Sequence, residues 1–137
     1  MASRAVKVTS LAHFFPQTEV EERLGFRQII LLTLGPINHP VSARVAYKMA
    51  TNLTNRIPKS FRFDLPTFSV FQNMISKLYR QQVITLEQIP EQNRFAVMLS
   101  EVGLGEYDWL IFNISRTPYG GIISSYSKYV NVQTSIY

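Results

Sequence analysis

The chain has 137 residues, 46% of them hydrophobic and 17% charged, which is long enough for one domain with its own core and too apolar for a disordered chain. It contains no cysteine, which excludes disulfide scaffolds, thiolate metal centres and cysteine nucleophiles. Fourteen Lys and Arg against nine Asp and Glu leave a net charge of +5, a balance that favours polyanionic partners.

Residues 1–25 read as an N-terminal arm, with a short extended piece around Val6, a corner at Phe14-Phe15-Pro16 and an acidic cluster at Glu19, Glu21 and Glu22. Arg4 and Lys7 precede any acid, faintly like an organelle transit peptide. No apolar run of signal-peptide type follows them, so secretion is not expected. Phe26 to Leu34 is rich in large apolar residues and is bounded by Gly25 and Gly35-Pro36, which predicts a buried strand. Pro40 then suits the first turn of a helix over 40–54, in which Val41, Val45, Met49 and Leu53 recur every four residues. Ile57-Pro58 ends it.

A second helix is expected over 65–81, where Phe68, Phe71, Ile75 and Leu78 follow the 3-4-3 spacing of an apolar stripe. Beyond it the period falls to two. Strands are expected over 82–88, 94–101, 108–115, 121–126 and 128–136, with turns at Gly103-Leu104-Gly105 and Thr117-Pro118-Tyr119-Gly120. Such short connections imply antiparallel neighbours. The stretches at 94–101 and 108–115 are apolar on both faces, which calls for cover by helices on one side and by a second subunit on the other. The expected fold is therefore α+β, a single compact domain over 26–137 with an N-terminal arm and strand, two amphipathic helices, and a mostly antiparallel sheet of about four to six strands. The apolar run at Ile29 to Leu34 is far below the roughly 20 residues that a bilayer-spanning helix needs.

Charge is unevenly divided. Residues 27–80 carry eight bases and one acid, Asp64, a net +7, whereas residues 81–137 carry a net −2. The helical half thus holds a field that attracts phosphate, in nucleic acid or in acidic lipid headgroups. Within it, Arg56, Lys59 and Arg62 alternate with Phe61 and Phe63 in a linker between the two helices. Cations there can neutralise phosphates while the rings stack on bases, or the rings can anchor the linker in the core. Arg44 and Lys48 lie one turn apart on the first helix, and Lys77 and Arg80 lie close together on the second. The expected polyanion-binding set is Arg44, Lys48, Arg56, Lys59, Phe61, Arg62, Phe63, Lys77 and Arg80.

No catalytic, cofactor-binding or metal-ligating constellation stands out. His13 and His39 are the only histidines available for acid–base work, and packing and helix-cap positions explain both. The glycines at 103 and 105 lack the third glycine of a dinucleotide loop. Glu101, Glu106 and Asp108 suit a solvated hairpin tip, and Trp109 a core or a subunit interface.

In general character, small, basic, cysteine-free and α+β, the chain resembles the matrix proteins of RNA viruses. That resemblance implies self-association and contact with membrane and ribonucleoprotein. The expected function is a non-enzymatic structural protein that forms a homo-oligomer through an aromatic sheet face and the chain termini. It binds RNA or an acidic membrane surface, and it meets other structural proteins. Its expected location is cytoplasmic, peripheral at a membrane or in a virion. A single-stranded nucleic-acid-binding module without higher assembly is the alternative, and a small histidine-dependent phosphodiesterase is a third.

Overall fold

The computed structural model describes residues 23–89 and 94–134. The first element is a helix, α1 (Phe26–Leu34), where the sequence led us to expect a strand. Its start is secured by Gln28, whose Oε1 accepts the Gly25 N–H at 2.9 Å. Every residue from Ile29 to Leu34 is buried, so the run is apolar on all sides because α1 lies inside the molecule. It packs against three helices or strands at once, namely α2, α4 and the sheet.

A two-residue strand, β1 (Val41–Ser42), leads directly into α2 (Ala43–Arg56). Ser42 caps this helix by accepting the Val45 N–H on its hydroxyl at 3.1 Å. The buried face is Ala46, Ala50 and Leu53, and the larger Val45 and Met49 flank it, so the expected stripe is rotated on the cylinder. A 3-10 turn (Lys59–Phe61) replaces the extended linker. Helix α3 (Phe68–Arg80) starts at the Thr67 cap and buries Phe71, Ile75 and Leu78, as the 3-4-3 spacing requires. It ends with Gln82 in the left-handed region at φ 66°, where the N–H groups of Gln82 and Val83 donate to the carbonyls of Tyr79 and Leu78.

Strands β2 (Ile84–Ile89) and β3 (Arg94–Leu99) pair antiparallel, with Ile84 opposite Leu99 and Leu86 opposite Val97. β1 adds to the other edge of β3 through Val41 opposite Val97. Among the described residues the sheet thus has three strands in the order β1-β3-β2, fewer than the four to six expected.

The remaining expected strands are helices. The segment at 108–115 lies largely in α4 (Glu101–Ile114), and the segments at 121–126 and 128–136 fall in α5 (Gly120–Thr134), with positions 135 and 136 outside the described residues. The Gly103-Leu104-Gly105 turn is the first turn of α4, initiated by Ser100, whose Oγ accepts the Gly103 N–H at 3.1 Å. The core spacing was helical in both segments. Gly103, Tyr107, Leu110 and Ile114 face inward from α4, and Ile123, Tyr126 and Val130 from α5. The architecture is therefore α+β in a single compact domain, with five helices and a small antiparallel sheet among the described residues. Of the arm, Leu24 is buried and exchanges main-chain hydrogen bonds with Phe61 and Phe63, while residues 1–22 lie outside the described residues.

Candidate polyanion-binding surface

Helix α2 presents Arg44, Lys48, Thr51, Asn52 and Asn55 on the side opposite its buried alanines, along a shallow open groove of about 710 Å³ lined by α2 and its cap alone. Ser42, Val45 and Tyr47 complete the lining. Tyr47 is fixed by donating its hydroxyl to the Pro66 carbonyl at 2.6 Å and by edge contacts with Phe68 and Phe71. The Arg44 guanidinium lies 4.5 Å from the Phe68 ring centre, a cation–π contact that joins α2 to the start of α3. Arg44 stands in the first turn of α2, where the helix dipole disfavours a cation by about 0.3–1 kcal/mol. The Phe68 contact offsets part of that cost. The contact with Phe68 is the structural role the fold shows for a base at this position.

The other cations have different circumstances. Arg56 bonds to Asn52 at 2.9 Å and lies over the Tyr129 ring at 4.8 Å, which ties α2 to α5. Lys77 and Arg80 are exposed on the last turn of α3, where cations complement the helix C-terminus whatever they bind. Lys59 is exposed at the start of the 3-10 turn. Arg62 differs from all of these. It is 9% exposed, donates from Nε to the Ile57 carbonyl at 3.0 Å, and contacts Asp64 at 3.3 Å. Its charge is spent on holding the linker.

The two linker rings also part company. Phe61 is half-buried and stacks on Tyr119 at 4.0 Å between ring centres, with an 18° interplanar angle, so it anchors the linker against the turn before α5. Phe63 is exposed, with the Arg23 guanidinium 4.3 Å from its ring centre. The expected nine-residue set is thus divided. Arg44 and Lys48 share the groove; Lys59, Lys77, Arg80 and Phe63 are exposed elsewhere; Arg56 ties α2 to α5, and Phe61 and Arg62 serve the fold. Thr51, Asn52 and Asn55 were missed because neutral hydroxyls and amides carry no charge signal. Their 3-4 spacing relative to Arg44 and Lys48 was the available clue.

No family model matches the chain, and neither a curated protein nor a solved structure resembles it significantly. Function therefore has to be derived from these side chains. A second concavity of about 360 Å³ lies between α4 and α5, floored by Ile111, Ile114 and Ile123 and rimmed by Tyr107, Ser124 and Lys128. Among the described residues no group of three His, Asp or Glu side chains could hold a metal ion. His39 places Nδ1 3.1 Å from the Pro40 carbonyl, and His13 lies outside the described residues. No helix among the described residues is long and apolar enough to cross a membrane.

Proposed function

We propose that this protein is a non-enzymatic structural protein, matrix-like in general character, that self-associates and binds RNA through the basic face of α2. The Arg44–Lys48 groove carries this reading. Two cations one helical turn apart meet successive phosphates, and the adjoining side-chain amides of Asn52 and Asn55 offer neutral hydrogen bonds to sugar and phosphate oxygens, whereas Thr51 keeps its hydroxyl proton on the Tyr47 carbonyl at 3.0 Å. A basic helix face lined by neutral amides suits a nucleic-acid strand better than a bilayer, which would be met by apolar side chains beside the cations. Lys59, Lys77 and Arg80 add long-range attraction within the net +7 segment.

The test is fluorescence anisotropy with a single-stranded RNA oligonucleotide across a salt series, run beside sedimentation with phosphatidylserine vesicles. Replacing Arg44 and Lys48 together with Ser should weaken RNA binding and lower the salt slope by about 1.4, since each lost phosphate contact removes roughly 0.7 on a single strand. Unchanged affinity and slope would refute the groove. Binding to vesicles but not to RNA would replace RNA by membrane as the partner.

A further inference from the structure

Helix α4 is apolar on its outer side as well as its inner side. Val102 is 54% exposed, Trp109 49% and Phe112 59%. With Gly105 they follow a 3-4-3 spacing, one continuous stripe facing solvent, and just past the end of the helix the Arg116 guanidinium lies 4.9 Å from the Phe112 ring centre. Trp109 and Phe112 belong to the segment 108–115 that the sequence suggested as a strand apolar on both faces. They lie on a helix instead. A Cβ placed on Gly105 would meet nothing within 4 Å, so the middle of the stripe is a shallow notch between larger side chains. Glu101 stands at the N-terminal end of the stripe and Arg116 just beyond its C-terminal end, so the stripe is acidic at one end and basic at the other.

We infer that the outer face of α4 is the self-association surface, and that its occupant is α4 of a second copy packed antiparallel about a two-fold axis. This rests on the self-association in the proposed function and names its surface. Charge complementarity selects the occupant and its direction. With the axis between positions 108 and 109, Glu101 faces Arg116 of the second copy, twice over. The same register sets Phe112 over the Gly105 notch of the second copy and brings the two Trp109 rings together at the centre. An isologous contact of this kind is self-complementary by construction. Parallel packing would set Glu101 against Glu101 and Arg116 against Arg116. An anionic bilayer is a poorer occupant, because Glu101 and Asp108 flank the aromatic residues and repel its headgroups.

The experiment is light scattering on a sizing column, with the emission of Trp109 as an internal reporter because it is the sole tryptophan. The full chain should run as a dimer whose emission shifts to the red on dilution. Trp109→Ser with Phe112→Ser should raise the dissociation constant at least about thirtyfold, as expected of hot-spot anchors, with an unchanged circular dichroism spectrum. Glu101→Arg alone and Arg116→Glu alone should each weaken the dimer on the order of tenfold at low salt. Mixing these two variants should restore it, since both cross-pairs are then opposite in sign. A dimer indifferent to all of these variants would overturn the α4 assignment while leaving self-association standing. A full chain that stays monomeric at every concentration would overturn both.

Discussion

The hydroxyl of Tyr126 on α5 donates to the main-chain carbonyl of Thr33 on α1 at 3.0 Å, with both residues fully buried. Thr33 is in the last turn of α1, so its carbonyl has no partner within the helix and takes one from the far end of the sequence. The Thr33 hydroxyl in turn donates to the Ile29 carbonyl at 2.7 Å. Helices distant in sequence are thereby joined by a buried polar contact at the end of the most buried helix.

Tyr126→Phe keeps the ring and removes the donor. Leaving the Thr33 carbonyl buried without its partner should cost about 1–3 kcal/mol, read from urea denaturation. The same residue sets an alkaline limit. Burial holds the Tyr126 phenol well above its ordinary value of 10.0, so the folded state keeps the proton to higher pH than the unfolded chain does. Its contribution is complete below about pH 10 and is lost as the pH rises beyond that. Burial raises Tyr107 as well, helped by the neighbouring Asp108 carboxylate, and adds in the same direction. The melting temperature of the wild type should therefore fall above pH 10, and less steeply in Tyr126→Phe. Equal alkaline slopes in the two proteins would contradict this.

Phe61 and Arg62 were candidates for ligand contact, but the fold uses both. Phe61→Ala removes a ring stacked on Tyr119 and should lose about 2–3 kcal/mol of stability, at or below the lower end of the range for truncating a core aromatic because the ring is only half-buried. Arg62→Ser frees the Ile57 carbonyl and should cost about 1–3 kcal/mol. Neither variant should alter the salt slope of RNA binding as much as Lys48→Ser does. Full stability in Phe61→Ala combined with lost affinity would return the ring to the binding surface.

The corner between α3 and β2 is clamped by the start of α4. Ser100 donates its hydroxyl to the Gln82 carbonyl at 2.6 Å and its N–H to the Val83 carbonyl at 2.9 Å. A Cβ on Gly103 would run into that Val83 carbonyl oxygen, a main-chain atom with little room to yield. Gly103→Ala should therefore destabilise by about 1–3 kcal/mol, as overpacking does. Gln82→Gly should act in the opposite sense, gaining about 0.5–1 kcal/mol, because φ 66° is strained for glutamine and free for glycine. Thermal melts of the two variants should move in opposite directions from the wild type.

Arg27 on α1 grips both carboxylate oxygens of Glu106 on α4 at 2.9 Å and also donates to Gln81 at 2.6 Å. Both partners are more than a third exposed, so solvent screening limits the gain. Each single variant, Arg27→Ala or Glu106→Ala, should lose no more than about 1 kcal/mol, and a double-mutant cycle should return a coupling of about 0.3–1 kcal/mol that shrinks in 1 M salt.

The sequence by itself determined α2, α3 and the β2–β3 hairpin. Phe71, Ile75 and Leu78 repeat at helical spacing on a half-buried cylinder, and 84–89 and 94–99 are short runs rich in strand-forming residues, set apart by Pro90-Glu91-Gln92-Asn93. It also determined the charge division, since eight bases against Asp64 is a matter of composition. Only the tertiary structure decided α1, α4 and α5. Ile29 to Leu34 is apolar without a period because α1 is enclosed on every side, and a short enclosed run carries no signal that separates helix from strand. In α4 the inward stripe through Leu110 and the outward stripe through Trp109 overlap, which flattens the contrast between the two faces. In α5 the alternation of Val130, Val132 and Thr134 is a local coincidence overruled by Ile123, Tyr126 and Val130 packing on one side. The division of the cations was likewise beyond the sequence. Arg62 and Lys48 look alike in composition, and only packing set the Ile57 carbonyl beside one of them and solvent beside the other.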